Sequence, residues 1–242
     1  MQSKKKYTHI FFDLDNTLWD FSKNSYFAMQ KIFANFPVQF QNIDFDKFFK
    51  VYIKHNHFLW SEYRKKIVGK SELVKKRFQN TFEELQIVGI DPLEMNSMYL
   101  NEMPKHNHLI DGSLEILQYL KSKRYRLFII TNGFKEVQHR KLESAGLTHF
   151  FEKVFISEVV KTPKPGREIF EFGIKSANAK KTNSLMIGDD WDVDVLGAIN
   201  FGIDAVHFEN GVGSEIEIVE NTVNKSRMTY KIGRIRQLKS IL

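Results

Sequence analysis

The feature that most constrains the fold is an alternation between short apolar runs and segments with helical periodicity. The apolar runs have the length of buried strands and lie at residues 8–12, 126–130, 153–156, 184–187, 205–208 and 229–232. Helical patterns lie between or after them, at residues 112–123, 134–145, 167–175, 193–200 and 235–242. Because strands that alternate with helices form parallel βαβ units, we predict an α/β fold with a Rossmann-like parallel-sheet core.

The region between the first two apolar runs has a different rhythm. From about Ser22 to Met103, aromatic and aliphatic residues recur at spacings closer to those of a helix than to those of a strand. Asp91-Pro92 is typical of a helix start, with proline at the first helical position. We therefore predict a helical cap inserted after the first strand. The predicted boundaries are 1–18 and 104–242 for the core and 19–103 for the cap.

Composition and charge exclude several classes of chemistry. The chain has no cysteine, so any metal must be held by oxygen or imidazole ligands, and cysteine nucleophiles are excluded. The net charge is +7, but Lys and Arg are spread along the chain apart from the run Lys4 to Lys6, so no nucleic-acid partner is predicted. No apolar run approaches the roughly 20 residues that a membrane-spanning helix needs. We expect no signal peptide, no membrane partner and a cytoplasmic location.

Polar residues lie where four of the predicted core segments reach their carboxyl ends. They are Asp-Leu-Asp-Asn-Thr at 13–17, Thr-Asn-Gly at 131–133, Lys-Pro at 164–165, and Gly-Asp-Asp at 188–190 with Asp194 following. Because ligands of parallel sheets bind beyond the carboxyl ends of the strands, we expect these groups to meet at one edge. Crowded carboxylates repel one another unless a lysine and a divalent cation compensate, and oxygen-rich sites suit Mg²⁺.

This set of groups matches the needs of phosphate-ester hydrolysis. Such an enzyme requires a nucleophile, a proton donor for the leaving oxygen and positive charge near the phosphoryl oxygens. Asp13 is the candidate nucleophile, and Asp15, two residues later, is the candidate acid and base. Thr131 and Asn132 are candidates to hydrogen-bond the phosphoryl oxygens. Lys164 supplies a fixed positive charge.

The carboxylates after the fourth segment are candidates for the metal site. Asp189 is predicted to hold the metal ion. Asp190 or Asp194 is predicted to lie just outside the direct ligands of the metal. There, one of them would orient either the water molecules bound to the metal or Lys164.

These four segments, in this order, resemble the four motifs of the haloacid dehalogenase-like hydrolase superfamily, and the resemblance extends over essentially the whole chain. It implies that Asp13 is the nucleophile and Asp15 the acid/base. It also implies that Asp13, the backbone carbonyl of Asp15 and the carboxylate of Asp189 bind Mg²⁺, while Thr131 and Lys164 bind phosphate. The insert after the first motif is similar to the helical cap of one branch. The position three residues before the motif lysine is often glycine, whereas here it is Lys161.

The substrate prediction depends on a weaker resemblance to pyrimidine 5′-nucleotidases. It rests on residues 130–134, 141–147 and 155–159 and on the Leu59-Trp60 region. Sugar-phosphate and phosphoglycolate phosphatases share parts of it and remain alternatives. Trp60 and Tyr63 are candidates to stack on a nucleobase, the alternative being that both pack within the cap. The expected partner is a small phosphorylated substrate, with the protein a monomer or homodimer.

Three other activities are alternatives. A 2-haloacid dehalogenase needs neither an acid at Asp15 nor Mg²⁺, so the presence of Asp15 and Asp189 favours phosphate chemistry. A catalytically silent binding module usually lacks a catalytic carboxylate, and none is missing from this sequence. A phosphomutase would use the same groups and stays open.

Overall fold

The structure is a computed structural model that describes residues 7–213, 215–220 and 224–242. The basic run Lys4 to Lys6 lies outside the described residues. The chain divides into two compact units, here named the sheet unit (Met1–Phe21 with Asn107–Leu242) and the helical unit (Ser22–His106). The junctions lie slightly C-terminal to the boundaries expected from the sequence. No helix in the described part of the chain combines the length and the apolar character that crossing a membrane requires.

The helical unit is built from α1 (Phe21–Phe33, whose first residue belongs to the sheet unit), α2 (Phe45–Arg64), α3 (Lys70–Leu85) and α4 (Pro92–Glu102). Asp91 caps α4, its carboxylate accepting a hydrogen bond from Leu93 N at 2.9 Å, as its position before proline predicts. Aromatic rings fill the interior, where Tyr52 stacks on Phe78 with ring centroids 5.0 Å apart. Burial of this apolar area is what stabilises helices of these lengths.

Among the described residues, the sheet unit has a seven-stranded sheet. Its strands are β1 (His9–Phe12), β2 (Arg126–Thr131), β3 (Lys153–Ile156), β4 (Ser184–Gly188), β5 (Asp204–Phe208), β6 (Glu217–Val219) and β7 (Thr229–Ile232). Their spatial order is β3-β2-β1-β4-β5-β7-β6, and all neighbours are parallel except β6 and β7. The predicted α/β Rossmann-like core is confirmed, with an antiparallel edge strand that the sequence did not predict.

The helices of the sheet unit are α5 (Ser113–Ser122), α6 (Lys135–Ser144), α7 (Ser157–Val160), α8 (Arg167–Ser176) and α9 (Gly197–Phe201). Two expectations need correction. The helix expected over 193–200 is a π-helical turn at Trp191–Leu196 followed by the short α9, and the C-terminal segment is 3₁₀-helical over Ile235–Ser240. The π-helical turn matters because it carries part of the acidic cluster described below.

Strand register brings three strand ends together at the middle of the sheet. Phe12, the last residue of β1, pairs with Ile129 of β2 on one side and with Ile187 of β4 on the other. The three strands are nearly fully buried, because helices of parallel sheets cover both faces. In the core, Phe11 stacks on Phe128 with ring centroids 5.0 Å apart. The residues that follow β1, β2 and β4 are therefore held side by side on a rigid base.

Candidate active site

Asp13 and Lys164 form a buried ion pair at the end of β1. The backbone N–H of Asp13 donates to Ile187 O at 2.8 Å, which continues the β1–β4 ladder and fixes the residue in place. Lys164 Nζ donates to Asp13 Oδ1 at 2.5 Å and lies 2.6 Å from Asp194 Oδ1. It also donates to Ile130 O at 2.7 Å. Lys164 is 1 % exposed, so its charge is held among these three acceptors rather than by water.

Asn132 fixes the segment that carries this lysine. Its Nδ2 donates to Lys164 O at 3.0 Å, and its Oδ1 accepts from Lys164 N at 2.8 Å. Both ends of the amide thus bind the lysine backbone, across 32 residues of chain. Lys161 is exposed and has a left-handed backbone with φ 63°. Of the two lysines, it is Lys164 whose amine lies on Asp13.

Three carboxylates crowd around this ion pair. Oxygens of Asp13, Asp189 and Asp194 all lie within 4.8 Å of one another. Thr17 Oγ1 bridges two of these side chains, 3.2 Å from Asp189 Oδ1 and 3.5 Å from Asp13 Oδ2. Gly188 allows the close approach of Asp194, because a Cβ at that glycine would lie 2.2 Å from Asp194 Oδ2.

The electrostatics of the cluster follow from burial. Burial raises the pKa of Asp13 well above its ordinary value, with Lys164 opposing the shift. Burial, reinforced by Asp194, raises the pKa of Asp189 to about 7. Burial would lower the pKa of Lys164, but the carboxylates of Asp13 and Asp194 outweigh it and raise that pKa. One lysine thus faces three carboxylates, of which Asp13 and Asp194 are buried and Asp189 is partly buried, and the remaining negative charge favours a cation.

The donor set fits Mg²⁺. Asp13 and Asp189 offer carboxylate oxygens within reach of one another, and hard oxygen donors of this kind are the ligands that Mg²⁺ prefers. The raised pKa of Asp189 indicates that its ionised form lacks compensating charge from the chain's own residues alone. Asp194, like Asp13, contacts the amine of Lys164.

Asp190 holds the backbone of the π-helical turn that follows it. Its Oδ1 accepts hydrogen bonds from the backbone N–H groups of Asp192 at 3.1 Å and Val193 at 3.0 Å, so it caps the π-helical turn. The turn is wide enough for Val195 N to donate back to Asp190 O at 3.3 Å. In this conformation Asp194 reaches the lysine while Asp190 holds the backbone of the turn.

Asp15 lies in a tight loop directly after β1. Asn16 adopts a left-handed conformation with φ 59°, and its N–H donates to Trp19 O at 2.7 Å, which closes the loop. Both carboxylate oxygens of Asp15 are engaged by α6. Lys141 Nζ donates to Oδ1 at 2.6 Å, and Gln138 Nε2 donates to Oδ2 at 3.0 Å.

Thr131, at the end of β2, shares one of these partners. Its Oγ1 accepts from Gln138 Nε2 at 2.6 Å and from Gly133 N at 3.2 Å. Gln138 and Lys141 were not predicted as site residues. No local sequence signal separates them from the exposed polar residues of the same short helix.

The two aromatic residues predicted to stack on a nucleobase lie in the helical unit. Trp60 and Tyr63 lie one turn apart near the end of α2 and pack edge to face, with ring centroids 5.5 Å apart. Both are half-buried, whereas their neighbour Leu59 is fully buried in the helical unit. Their contact with substrate stays a prediction.

Comparison with known proteins adds the following findings. A family model described as haloacid dehalogenase-like hydrolase matches residues 7–202. Pyrimidine 5′-nucleotidase YjjG of Escherichia coli (strain K12) is 32 % identical over 82 % of this chain and 84 % of its own. Glyceraldehyde 3-phosphate phosphatase of Pyrococcus furiosus is 29 % identical over 96 % of this chain and 92 % of its own. The crystal structure of HAD-hydrolase YfnB from Bacillus subtilis, bound to magnesium, superposes with a TM-score of 0.84 at 24 % identity, covering 98 % of this chain and 99 % of its own.

Proposed function

The chain belongs to the haloacid dehalogenase-like hydrolase family and is a phosphoric monoester hydrolase, and on this basis we propose that it releases phosphate from pyrimidine nucleoside 5′-monophosphates through an aspartyl-phosphate on Asp13. The observation that carries the mechanism is the buried contact between Asp13 and Lys164, with Asp189 beside it. A nucleophilic carboxylate must be ionised, and burial opposes ionisation. The positive charge of Lys164 partly offsets that effect.

In the first half-reaction, Asp13 attacks phosphorus as the bond from phosphorus to the leaving oxygen breaks. Asp15 gives its proton to that oxygen, so the product leaves as an alcohol. Lys164 and the hydroxyl of Thr131 stabilise the charge on the phosphoryl oxygens. The products of this half are the free nucleoside and an acyl phosphate on Asp13.

In the second half-reaction, Asp15 accepts a proton from water, and that water attacks phosphorus. The bond from phosphorus to the Asp13 oxygen breaks, which restores the carboxylate and releases inorganic phosphate. Asp13, Asp189 and the backbone carbonyl of Asp15 would hold Mg²⁺. When bound, the metal neutralises charge on the phosphoryl group.

The nucleotide preference is supported by the similarity to the Escherichia coli pyrimidine 5′-nucleotidase over most of both chains. Trp60 and Tyr63 are the residues that we propose to contact the base. A second candidate, a sugar-phosphate phosphatase, is supported by the Pyrococcus furiosus relative. A cytoplasmic monomer or homodimer, with no nucleic-acid polymer as partner, completes the proposal.

The test is phosphate release, with and without Mg²⁺, from dUMP, dTMP, 5-fluoro-dUMP, AMP, phosphoglycolate and common sugar phosphates. We expect Mg²⁺-dependent release that is fastest with the pyrimidine monophosphates. Faster hydrolysis of sugar phosphates would change the assigned substrate and leave the proposed mechanism unchanged. Undiminished hydrolysis in EDTA would contradict the metal requirement.

A further inference from the structure

Helix α6 presents two polar residues on its buried face, directly against Asp15. The buried residues of this helix are Val137, Gln138, Lys141 and Leu142, so half of its buried face is polar. Gln138 is 0 % and Lys141 2 % exposed. Lysine is almost never fully buried without a partner, and here the partner is one carboxylate oxygen.

Lys141 is fixed on two sides. Its amine lies 4.4 Å from the centre of the Trp19 ring and 5.5 Å from that of Phe21, in addition to its contact with Asp15. Trp19 closes the loop that carries Asp15. The Lys141 amine therefore links helix α6 to the loop at both Asp15 and Trp19. The carboxylate of Asp15 is thereby held in one orientation while about a quarter of it stays exposed, at 26 %.

Gln138 links the carboxylate to Thr131. Because an ionised carboxylate only accepts hydrogen bonds, the group facing Asp15 must be the NH₂ of the amide. The same nitrogen donates to Thr131 Oγ1, which also accepts from Gly133 N. Both acceptor positions of this hydroxyl are then used, so its own proton is left to point outward as a donor.

The arrangement is poor for stability alone. Gln138 Oε1 is buried and accepts no hydrogen bond from the described residues, a cost that leucine would avoid. Gly133 makes room for the amide, since a Cβ there would lie 2.3 Å from Gln138 Nε2. A buried lysine paired with a single carboxylate is likewise weak evidence for stability. These costs point to a function at Asp15.

We propose that Gln138 and Lys141 are positioning residues that hold the carboxylate of Asp15 and turn the hydroxyl proton of Thr131 toward the phosphoryl group. The inference rests on the proposed function, in which Asp15 protonates the leaving oxygen. Both contact Asp15 and neither is proposed to contact the substrate. They act by fixing the groups that do.

The test compares an alkyl phosphate, which needs a protonated leaving oxygen, with p-nitrophenyl phosphate, which does not. The value of kcat/KM includes all steps up to departure of the alcohol, so it reports on the acid. In Lys141→Met and Gln138→Leu we expect kcat/KM to fall at least about tenfold more for the alkyl phosphate than for p-nitrophenyl phosphate. Lys141→Arg should recover most of the difference.

Two reference variants serve as controls, one for a lysine without a role at Asp15 and one for loss of the acid itself. Lys135→Met removes an exposed lysine from the same helix and should change both rates by less than a factor of about two. Asp15→Asn should show the largest selective loss, and adding Lys141→Met to it should cause no further selective loss, because the lysine acts through Asp15. Circular dichroism and melting temperature identify variants that fold. If either Lys141→Met or Gln138→Leu fails to fold, the remaining variant of this pair is compared with wild type.

The outcomes distinguish the positioning role of Gln138 and Lys141 from the acid role of Asp15. Equal losses on both substrates in the folded variants, with Asp15→Asn selective, would overturn the positioning role and leave the acid role of Asp15 intact. The absence of a selective loss in Asp15→Asn itself would overturn the acid role, and the inference about Gln138 and Lys141 would fail with it. A selective loss that adds to that of Asp15→Asn would place Lys141 directly on the substrate instead.

Discussion

Replacing Lys164 with methionine should destabilise the sheet unit strongly, and more so at high pH. The amine is 1 % exposed and serves Asp13, Asp194 and Ile130 O at 2.5, 2.6 and 2.7 Å. Methionine fills similar space but leaves the carboxylates without a counter-charge. Removing one partner of a buried ion pair costs about 3–5 kcal/mol, so the free energy of unfolding should fall by about that amount at pH 8.

The pH dependence has a definite sign. The pKa values of Asp13 and Asp194 are already raised by burial, and loss of the lysine raises them further. A carboxyl with a raised folded pKa stabilises the fold fully below its unfolded pKa of about 4 and loses that stabilisation as pH rises through the folded value. The difference between variant and wild type should therefore be smaller at pH 5 than at pH 8.

The assay is denaturant unfolding followed by circular dichroism, at both pH values and in EDTA, so that no cation replaces the missing charge. Lys161→Met is the matched control, because Lys161 is exposed and only a short distance along the chain. It should change the free energy of unfolding by less than about 0.5 kcal/mol. A loss in Lys164→Met equal to that of the control, or a greater loss at pH 5 than at pH 8, would refute the reasoning.

Three further results are expected. Asp189→Ala should raise the Mg²⁺ concentration needed for half-maximal phosphate release or abolish release, and an unchanged titration would remove Asp189 from the metal site. Because the pKa of Asp189 is raised to about 7, protons compete with the metal, so the Mg²⁺ affinity of the wild type, measured by calorimetry, should fall as pH drops below 7. Trp60→Ala should lower kcat/KM for dUMP more than for p-nitrophenyl phosphate. Equal losses on the two substrates would favour packing within the helical unit.

The clustering of the four polar segments could be predicted from the sequence because two rules act together there. Each polar segment is short and local, so it can be identified without knowing the fold. Parallel strands then bring the ends of β1, β2 and β4 to one edge, which the register of Phe12 with Ile129 and Ile187 confirms. The contact of Lys164 with Asp13, 151 residues apart, follows from this topology.

The residues around Asp15 could not be predicted in the same way. Helix α6 is polar over most of its length, so nothing in its periodicity distinguishes Gln138 and Lys141 from the exposed His139 and Arg140. Their role appears only when the helix is packed and the Lys141–Asp15 pair forms across 126 residues. Burial of polar side chains is decided by a distant partner rather than by local pattern.

Two of the departures from the expected local structure have related causes. The π-helical turn at Trp191–Leu196 has the composition of an ordinary helix, but Asp190 caps its backbone while Asp194 is drawn to Lys164. The edge strand β6 is short and largely exposed, so it lacks the apolar alternation by which strands are identified. Both features depend on tertiary contacts.

The most direct test of the central claim is to trap the covalent intermediate. Wild-type protein is mixed with Mg²⁺ and dUMP, quenched in acid during turnover, reduced with borohydride and digested for mass spectrometry. Reduction of an acyl phosphate converts the aspartate to homoserine, and we expect this change at Asp13 alone, absent from Asp13→Asn, which should also release no phosphate. Conversion at another aspartate, or phosphate release by Asp13→Asn at the wild-type rate, would contradict the assignment of Asp13 as the nucleophile.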